Sequence, residues 1–489
     1  MGWRDEDPGL PVKLGPVSNG EYDPQPLPLV LRETIRRARD AAERNARRSG
    51  MSRREFLLSA CGAATTLLVL NACTREEAAR RGRVPGGGYQ VSPEATIDPD
   101  VAEEEIGGEE FVMDVQGHLL EYELNPAARD DSFWTSFPQQ DCGEDDPRVC
   151  FGITHFMDEM FLKSDTSMVV LSALPIVPEG SPLSMEVMDE TRKLAEALCR
   201  DDRVLLHGQA LPNNGPLSAN LDAMEDVARR FEIAAWKTFT HFPLGDPGGG
   251  WFLDDHDPSL PQVGERFIER SRDIGVRTIC THKGLSGGSP YASPEDVGPA
   301  AAKHPEMNFV VYHSGYESEL VEGPYTRSTA HQGVNRLITS MRRSGIGPNR
   351  NVYAELGTTW WNVMRFPDQA AHVLGKLLRY VGEDNVVWGT DCLFYGSPQD
   401  QIQAMRSFQI SEEYQERYGY PRLTKEIKAK ILGLNGARLY GVDPITVPCE
   451  FSRRELAELR TRLPLKNAVY GPTTVPEAVA FRAHHQGTP

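Results

Sequence analysis

The sequence predicts an α/β chain whose body is a (β/α)8 barrel, preceded by a signal and tether and followed by a short C-terminal extension. Two observations carry that expectation. Eight short apolar runs recur, most of them separated by segments of helical period, which is the pattern of a parallel sheet with crossover helices. Four of the runs end on a group suited to chemistry: His118, His282, His313 and Asp391. Sites in such barrels form where strands end, so the two observations reinforce each other.

The strand-like runs are 111–116, 167–173, 204–207, 233–239, 276–281, 308–312, 352–356 and 386–388. The last is the most telling. Val386, Val387 and Trp388 are too few for a helix, and Gly389, Thr390 and Asp391 follow at once. A carboxylate at the end of a buried strand needs a cation or hydrogen-bond donors to offset its desolvation. Helical spacing marks 186–199, 221–231, 263–274, 334–341 and 369–381; in the first of these Met188, Ala195 and Leu198 share a face. Two loops, 117–165 and 313–334, are long enough to cap a pocket. Segment 424–439 is amphipathic, and 445–489 reads as surface packing with one helix at 453–462.

The barrel is expected over 111–444. Ahead of it, residues 1–50 form an N-terminal extension, Pro-rich and then basic and helical from 31 to 48. Residues 51–73 read as a twin-arginine export signal. Ser52, Arg53 and Arg54 precede Phe56 and Leu57, and then an apolar run too short and too rich in Gly, Ser and Thr to span a bilayer. The run closes on Leu70-Asn71-Ala72-Cys73, which resembles a lipoprotein box, with Asn71 an unusual occupant. Either Met1 or Met51 suits as the start. Residues 74–110 are Gly/Pro-punctuated and acidic without apolar period, as in a flexible linker. These readings place the protein outside the cytoplasm, periplasmic or on the outer cell surface. Its expected partners are the translocation machinery, a membrane only through a lipid on Cys73, a small-molecule substrate, and further copies of itself.

Composition narrows the chemistry. Among 489 residues, 39% are hydrophobic and 25% charged, an ordinary folded core. With 52 Lys+Arg against 70 Asp+Glu the net charge is -18, which disfavours nucleic acid. Eight cysteines without a CxxC pair argue against a cysteine zinc site. Cys142 and Cys150 either pair in an oxidising compartment or stay as thiols.

Neutral imidazoles with one carboxylate suit a divalent cation such as zinc, and three protein ligands leave a position for water. His118 and His282 are the imidazole candidates and Asp391 the carboxylate, with His313 as a fourth ligand or as the base facing substrate. Gln116 sits two residues before His118, where its amide oxygen either touches the ion, holds a metal-bound water or fills space. Lys237 lies near the end of the fourth run and is suited to a substrate carboxylate or to a buried partner. His241 lines the pocket. Trp360 and Trp361 follow the seventh run and either stack on a planar substrate or pack a lid. Asp114 shares the face of Gln116 and supports the site from behind.

The stretches MDVQGH, VVLSALP, TICTHKG, FVVYHSG, VVWGTDC and KILGLNGARLYG, in that order, resemble the amidohydrolase superfamily. The branch is the one that contains aminocarboxymuconate semialdehyde decarboxylase. The resemblance spans about 111–444, roughly two thirds of the chain. It implies one divalent metal, zinc or manganese, held by His118, His282 and Asp391, with His313 catalytic. One departure stands out: the family's first strand offers His-x-His or Glu-x-His, and here the first member is Gln116. Three functions follow in order of preference. The first is a metal-dependent hydrolase of an amide, ester or lactone. The second is a carboxy-lyase on an aromatic or unsaturated acid, and the third a metal-poor barrel that binds without turnover.

Overall fold

The computed structural model describes residues 7–125, 128, 142, 144–199, 202–242, 249–285, 289–444 and 466–486. Eight parallel strands form one sheet in chain order: β1 (Met113–Gly117), β2 (Met168–Leu171), β3 (Val204–Ala210), β4 (Ile233–Phe239), β5 (Thr278–His282), β6 (Asn308–Tyr312), β7 (Val352–Glu355) and β8 (Val386–Val387). Val115 N–H donates to Trp388 O at 3.0 Å, Asp391 N–H to Gln116 O at 3.0 Å, and Gly117 bridges Cys392, which brings the first strand against the last. The fold is therefore an α/β barrel, as the alternation of runs implies. Most strand bounds differ from the expected ones by one to three residues.

The reason for the barrel is visible in its burial. Strands buried on both faces carry Val, Ile, Ala and Met rather than alternating polar residues. Val115, Val170, Ala235, Cys280, Val310, Tyr312 and Val387 pack inside the ring. The floor is closed by the segment after the barrel: Tyr440 Oη lies 2.8 Å from His207 Nε2. Helices Met185–Cys199, Leu217–Arg230, Gly264–Ile274, Asn335–Arg343 and Pro367–Tyr380 lie close to the helical segments expected from period. The amphipathic segment at 424–439 runs as Lys425–Ala429 and Asn435–Tyr440, with a widened turn at Lys430–Leu434 between them.

The chain ahead of the barrel differs from the expectation of a loose tether. Within 74–110, Gly87–Tyr89 pairs antiparallel with Phe408–Ile410. Pro99–Ile106 forms a helix that Asp98 caps and that buries Ala102 and Ile106. These elements are too short to imprint a period, so composition alone suggests a linker. Leu29–Arg48 is a helix whose buried Leu31, Thr34, Ala38, Ala41, Ala42 and Ala46 make one stripe. It packs on helix Ala60–Arg80, in which Cys73 is buried. Between them Ser52 and Glu55 form a capping box on Arg53–Leu57, and Arg53 pairs with Asp7 and Glu43. No helix among the described residues is long and apolar enough to cross a membrane. Cys142 and Cys150 form a disulfide. The helix expected at 453–462 lies outside the described residues, and Val475–Gln486 is helical.

Residues 8–23 carry no regular structure yet are firmly seated. Val12, Leu14, Val17 and Tyr22 are buried. Lys13 Nζ pairs with Asp400 at 2.8 Å, with both side chains nearly inaccessible. Arg365 donates to Gly15 O at 3.1 Å and Asn467 N–H to Pro8 O at 2.7 Å. This strap runs across the carboxyl ends of the strands.

Candidate active site at the barrel mouth

Five non-glycine residues at or just past the strand ends adopt left-handed backbone: Leu285 (φ 51°), His313 (φ 60°), Ser314 (φ 53°), Thr358 (φ 59°) and Asp391 (φ 61°). Such conformations cost about 1–3 kcal/mol each and cluster where side chains must be aimed. Here they turn His313, Thr358 and Asp391 into a common mouth.

Asp391 is one centre. Its Oδ1 accepts from Gln116 Nε2 at 2.9 Å and lies 3.0 Å from His118 Nε2. Its Oδ2 accepts from Asn19 Nδ2 at 2.7 Å and Thr358 Oγ1 at 2.5 Å. Three of these partners are donors, Gln116, Asn19 and Thr358, while the His118 ring gives its Nδ1 hydrogen to Ser172 O at 2.6 Å. Burial presses the Asp391 carboxyl upward, but the His118 bond, the neighbouring imidazole charges and the Thr358 hydroxyl outweigh it, and the group lies well below the ordinary carboxylate range. Behind it Asp114 receives the Thr390 hydroxyl and the Gln116 N–H (2.9 Å), and burial raises its carboxyl to about 7.

His282 and His313 form the other centre, with ring centroids 4.6 Å apart. A carbonyl only accepts, so His282 Nε2 must donate to Gly284 O at 3.0 Å and His313 Nδ1 to Gly357 O at 2.8 Å. That fixes both tautomers and leaves lone pairs on His282 Nδ1 and His313 Nε2. Burial is the main cause holding both rings below their ordinary range, His313 at about 4, so both are neutral at neutral pH. The two lone pairs face Glu21, with Oε1 3.4 Å from His282 Nδ1 and Oε2 3.9 Å from His313 Nε2. The three donor atoms lie within 4.8 Å of one another. Although Glu21 keeps 25% of its side-chain surface accessible, its carboxyl is pushed up to about 8, first by burial and then by the charge of Asp391. Asn19 ties the centres together: its Nδ2 donates to Glu21 Oε2 and to Asp391 Oδ2, each at 2.7 Å.

The expected ligand set is thus divided. His118, Gln116 and Asp391 touch one another, whereas His282 meets His313 and Glu21. Gln116 offers its NH2 to Asp391, and its Oε1 is buried with no hydrogen-bond partner. Lys237 Nζ is also buried without a hydrogen-bond partner, 3.4 Å from the Tyr312 ring centroid, and its pKa is lowered to about 8 by burial. His241 stands with its ring centroid 4.7 Å from that of His282. Trp360 does not reach this mouth. It is fully buried, donates its indole N–H to Gln401 O at 2.9 Å and packs edge-on against Phe408, so it is lid packing rather than a substrate platform. Trp361 stacks on Tyr395, whose hydroxyl meets Tyr22 and Thr358.

Four contributors escape the sequence reading: Glu355, Thr358, Asn19 and Glu21. Glu355 closes β7, accepts from the His313 and Gly357 backbone N–H groups, and is raised to about 8 by burial. A lone acid inside the run VYAEL is a signal that would have found it. Asn19 and Glu21 lie in a polar, Pro-rich stretch with no pattern, and nothing local marks them.

Comparison with known proteins adds the family. No curated protein matches the chain in sequence. Among solved structures, an uncharacterised TIM-barrel protein from Bordetella bronchiseptica is similar at 14% identity and a TM-score of 0.40, over 68% of this chain and 98% of that one. The 4-oxalomesaconate hydratase of Rhodopseudomonas palustris is similar at 12% and 0.39, over 68% and 96%. A uronate isomerase of Bacillus halodurans gives 11% and 0.37, over 70% and 97%. No activity is carried over from likenesses this distant. The amidohydrolase family model matches residues 194–442, just over half of the chain, and the chain belongs to that family.

Proposed function

We propose that the protein is a metal-dependent hydrolase of the amidohydrolase type, acting at the carbonyl of a small organic acid derivative (an amide, ester or lactone). The observation that supports this most is the pair of neutral imidazoles whose far nitrogens are tied to Gly284 O and Gly357 O. Metal-binding histidines are oriented in this way, the outer bond fixing the tautomer and turning the lone pair to the ion. The residues therefore fit a divalent cation held by His282 and His313, with zinc or manganese suited to the nitrogen donors. When bound, the ion would supply a water ionised near neutral pH and a positive charge for the developing oxyanion.

The chain's own groups do the rest. Asp391, kept ionised by its donors, holds Asn19 and Thr358 in place at the mouth. Lys237 offers a buried ammonium whose donors are unspent, and it orients a substrate carboxylate. Strap and loops exclude bulk water and strengthen both effects.

Lys237 also favours a second reading, loss of CO2 from an unsaturated or aromatic acid, because that chemistry needs a held carboxylate. A panel of lactones, amides and aromatic acids, assayed for acid formation and for CO2 release in parallel, separates the two. Absence of both activities in protein carrying one equivalent of metal would overturn the catalytic reading.

A further inference from the structure

We propose that Asn19, carried by the N-terminal strap, is a positioning residue that sets which oxygen of Asp391 faces the reacting centre. The inference rests on the site reading above and adds to it a member from outside the barrel.

The strap turns sharply to bring Asn19 in. Gly20 has φ 96°, and a Cβ there would stand 2.5 Å from the Phe481 ring, so glycine is the residue that closes this turn. Ser18 Oγ accepts from Gly20 N–H at 2.9 Å, and Ser18 N–H donates to Pro472 O at 2.9 Å. Asn19 Oδ1 accepts from Glu21 N–H at 3.0 Å, which fixes the way the amide faces. Its two Nδ2 hydrogens are then spent on Asp391 Oδ2 and Glu21 Oε2, each at 2.7 Å. The side chain is buried while it makes these bonds.

A second route from the strap reaches the same oxygen. The hydroxyls of Tyr22, Tyr395 and Thr358 stand in a chain with steps of 3.1 and 2.9 Å, and Thr358 donates to Asp391 Oδ2 at 2.5 Å. With Oδ2 held from both sides, Oδ1 stays toward Gln116 Nε2 at 2.9 Å and His118 Nε2 at 3.0 Å. The last torsion of an aspartate is broad and two-fold when nothing holds it, and Asn19 narrows it here. Buried Val12, Leu14 and Val17 and the enclosed Lys13–Asp400 pair keep the strap in register for this role. A chain begun at Met51 would lack Asn19 and Tyr22 together, so the working protein includes residues 8–23.

The test is made on the full-length chain. Asn19→Leu keeps about the same size and removes both donors, and Asn19→Ala removes them with less bulk. Zn2+ affinity, measured by competition with a chromophoric chelator, is expected to fall by about 10–100-fold in each, the range for partners that orient a metal-binding group. The visible absorption of the Co2+-loaded variants should differ from that of the parent. Asn19→Gln, which restores an amide, should recover part of both, which a space-filling role would not produce. Equal melting temperatures of the metal-free parent and Asn19→Ala confirm that folding is intact; if Asn19→Leu alone melts lower, Asn19→Ala carries the comparison. If both variants match the parent in Zn2+ affinity and Co2+ absorption while His282→Ala loses the ion, the role of Asn19 falls and the site reading stands. If the parent itself binds no divalent ion, the site reading falls and takes this role with it.

Discussion

The barrel wall and the N-terminal strap both bury side chains and differ in how they do so. Strands of the wall repeat one environment along their length, as the fully buried MVVL of β2 and FVVY of β6 show. The strap buries its residues one at a time, each in a different seat: Leu14 in the apolar core, Tyr22 with its hydroxyl on Tyr395, Lys13 on Asp400, Asn19 between two carboxylates. Periodic burial is written into a sequence as a period, while individual seats leave no repeat. That is why a stretch beginning PVSNGEYD reads as an idle extension yet places two side chains at the chemistry.

The comparison is most open to attack through the strap's ion pair. Removing one member of an enclosed pair leaves a buried charge and costs about 3–5 kcal/mol. Lys13→Met should therefore lower global stability by that order in denaturant unfolding, because Asp400 is inaccessible and its carboxyl is already raised by burial. Lys376→Met is the matched control in the body, since Lys376 and Glu322 pair at 2.6 Å with both side chains enclosed. Similar losses would make the strap one cooperative unit with the barrel. A loss confined to Lys376→Met would mean that the strap detaches on its own, and the two regions would then differ in stability as well as in pattern.

Legibility followed the same division at the site. His118, His282, His313 and Asp391 were found because each ends an apolar run, and the family resemblance fixed their order. Their grouping was not legible. It depends on which acceptor positions of Asp391 are filled, and two of the four partners, Asn19 and Thr358, come from a patternless strap and from a residue whose left-handed backbone aims it. Trp360 stays between two readings for the opposite reason: large aromatics after a strand look alike whether they face a pocket or the core, and only the Gln401 bond decides.

The wall also predicts where small residues are obligatory. A Cβ on Gly389 would overlap Glu355 Oε1 and press on Gln116. Gly389→Ala should cost about 1–3 kcal/mol of stability, the usual range for overpacking a core. It should also displace Glu355 from the His313 backbone N–H, lowering turnover more than stability alone explains. Parent-like activity and unfolding midpoint would show that the mouth is looser than its packing implies.

The smallest effect sharpens the seam between barrel and added segments. His372, on the barrel helix Pro367–Tyr380, meets the Tyr420 hydroxyl at 3.0 Å and the Tyr414 ring, and burial lowers its pKa from 6.5 to about 3. The unfolded chain takes up a proton below pH 6.5 that the folded one refuses until about 3. Stability from this group is therefore complete above pH 6.5 and declines as pH falls through that window, by up to about 2 kcal/mol at pH 5. His372→Phe gives up the Tyr420 bond at every pH, so the readout is the difference in unfolding free energy between pH 7 and pH 5. That difference should shrink in the variant. An unchanged difference would mean that the ring is already protonated when folded, and that the Tyr414–Tyr420 segment packs less tightly on the barrel than the strap does.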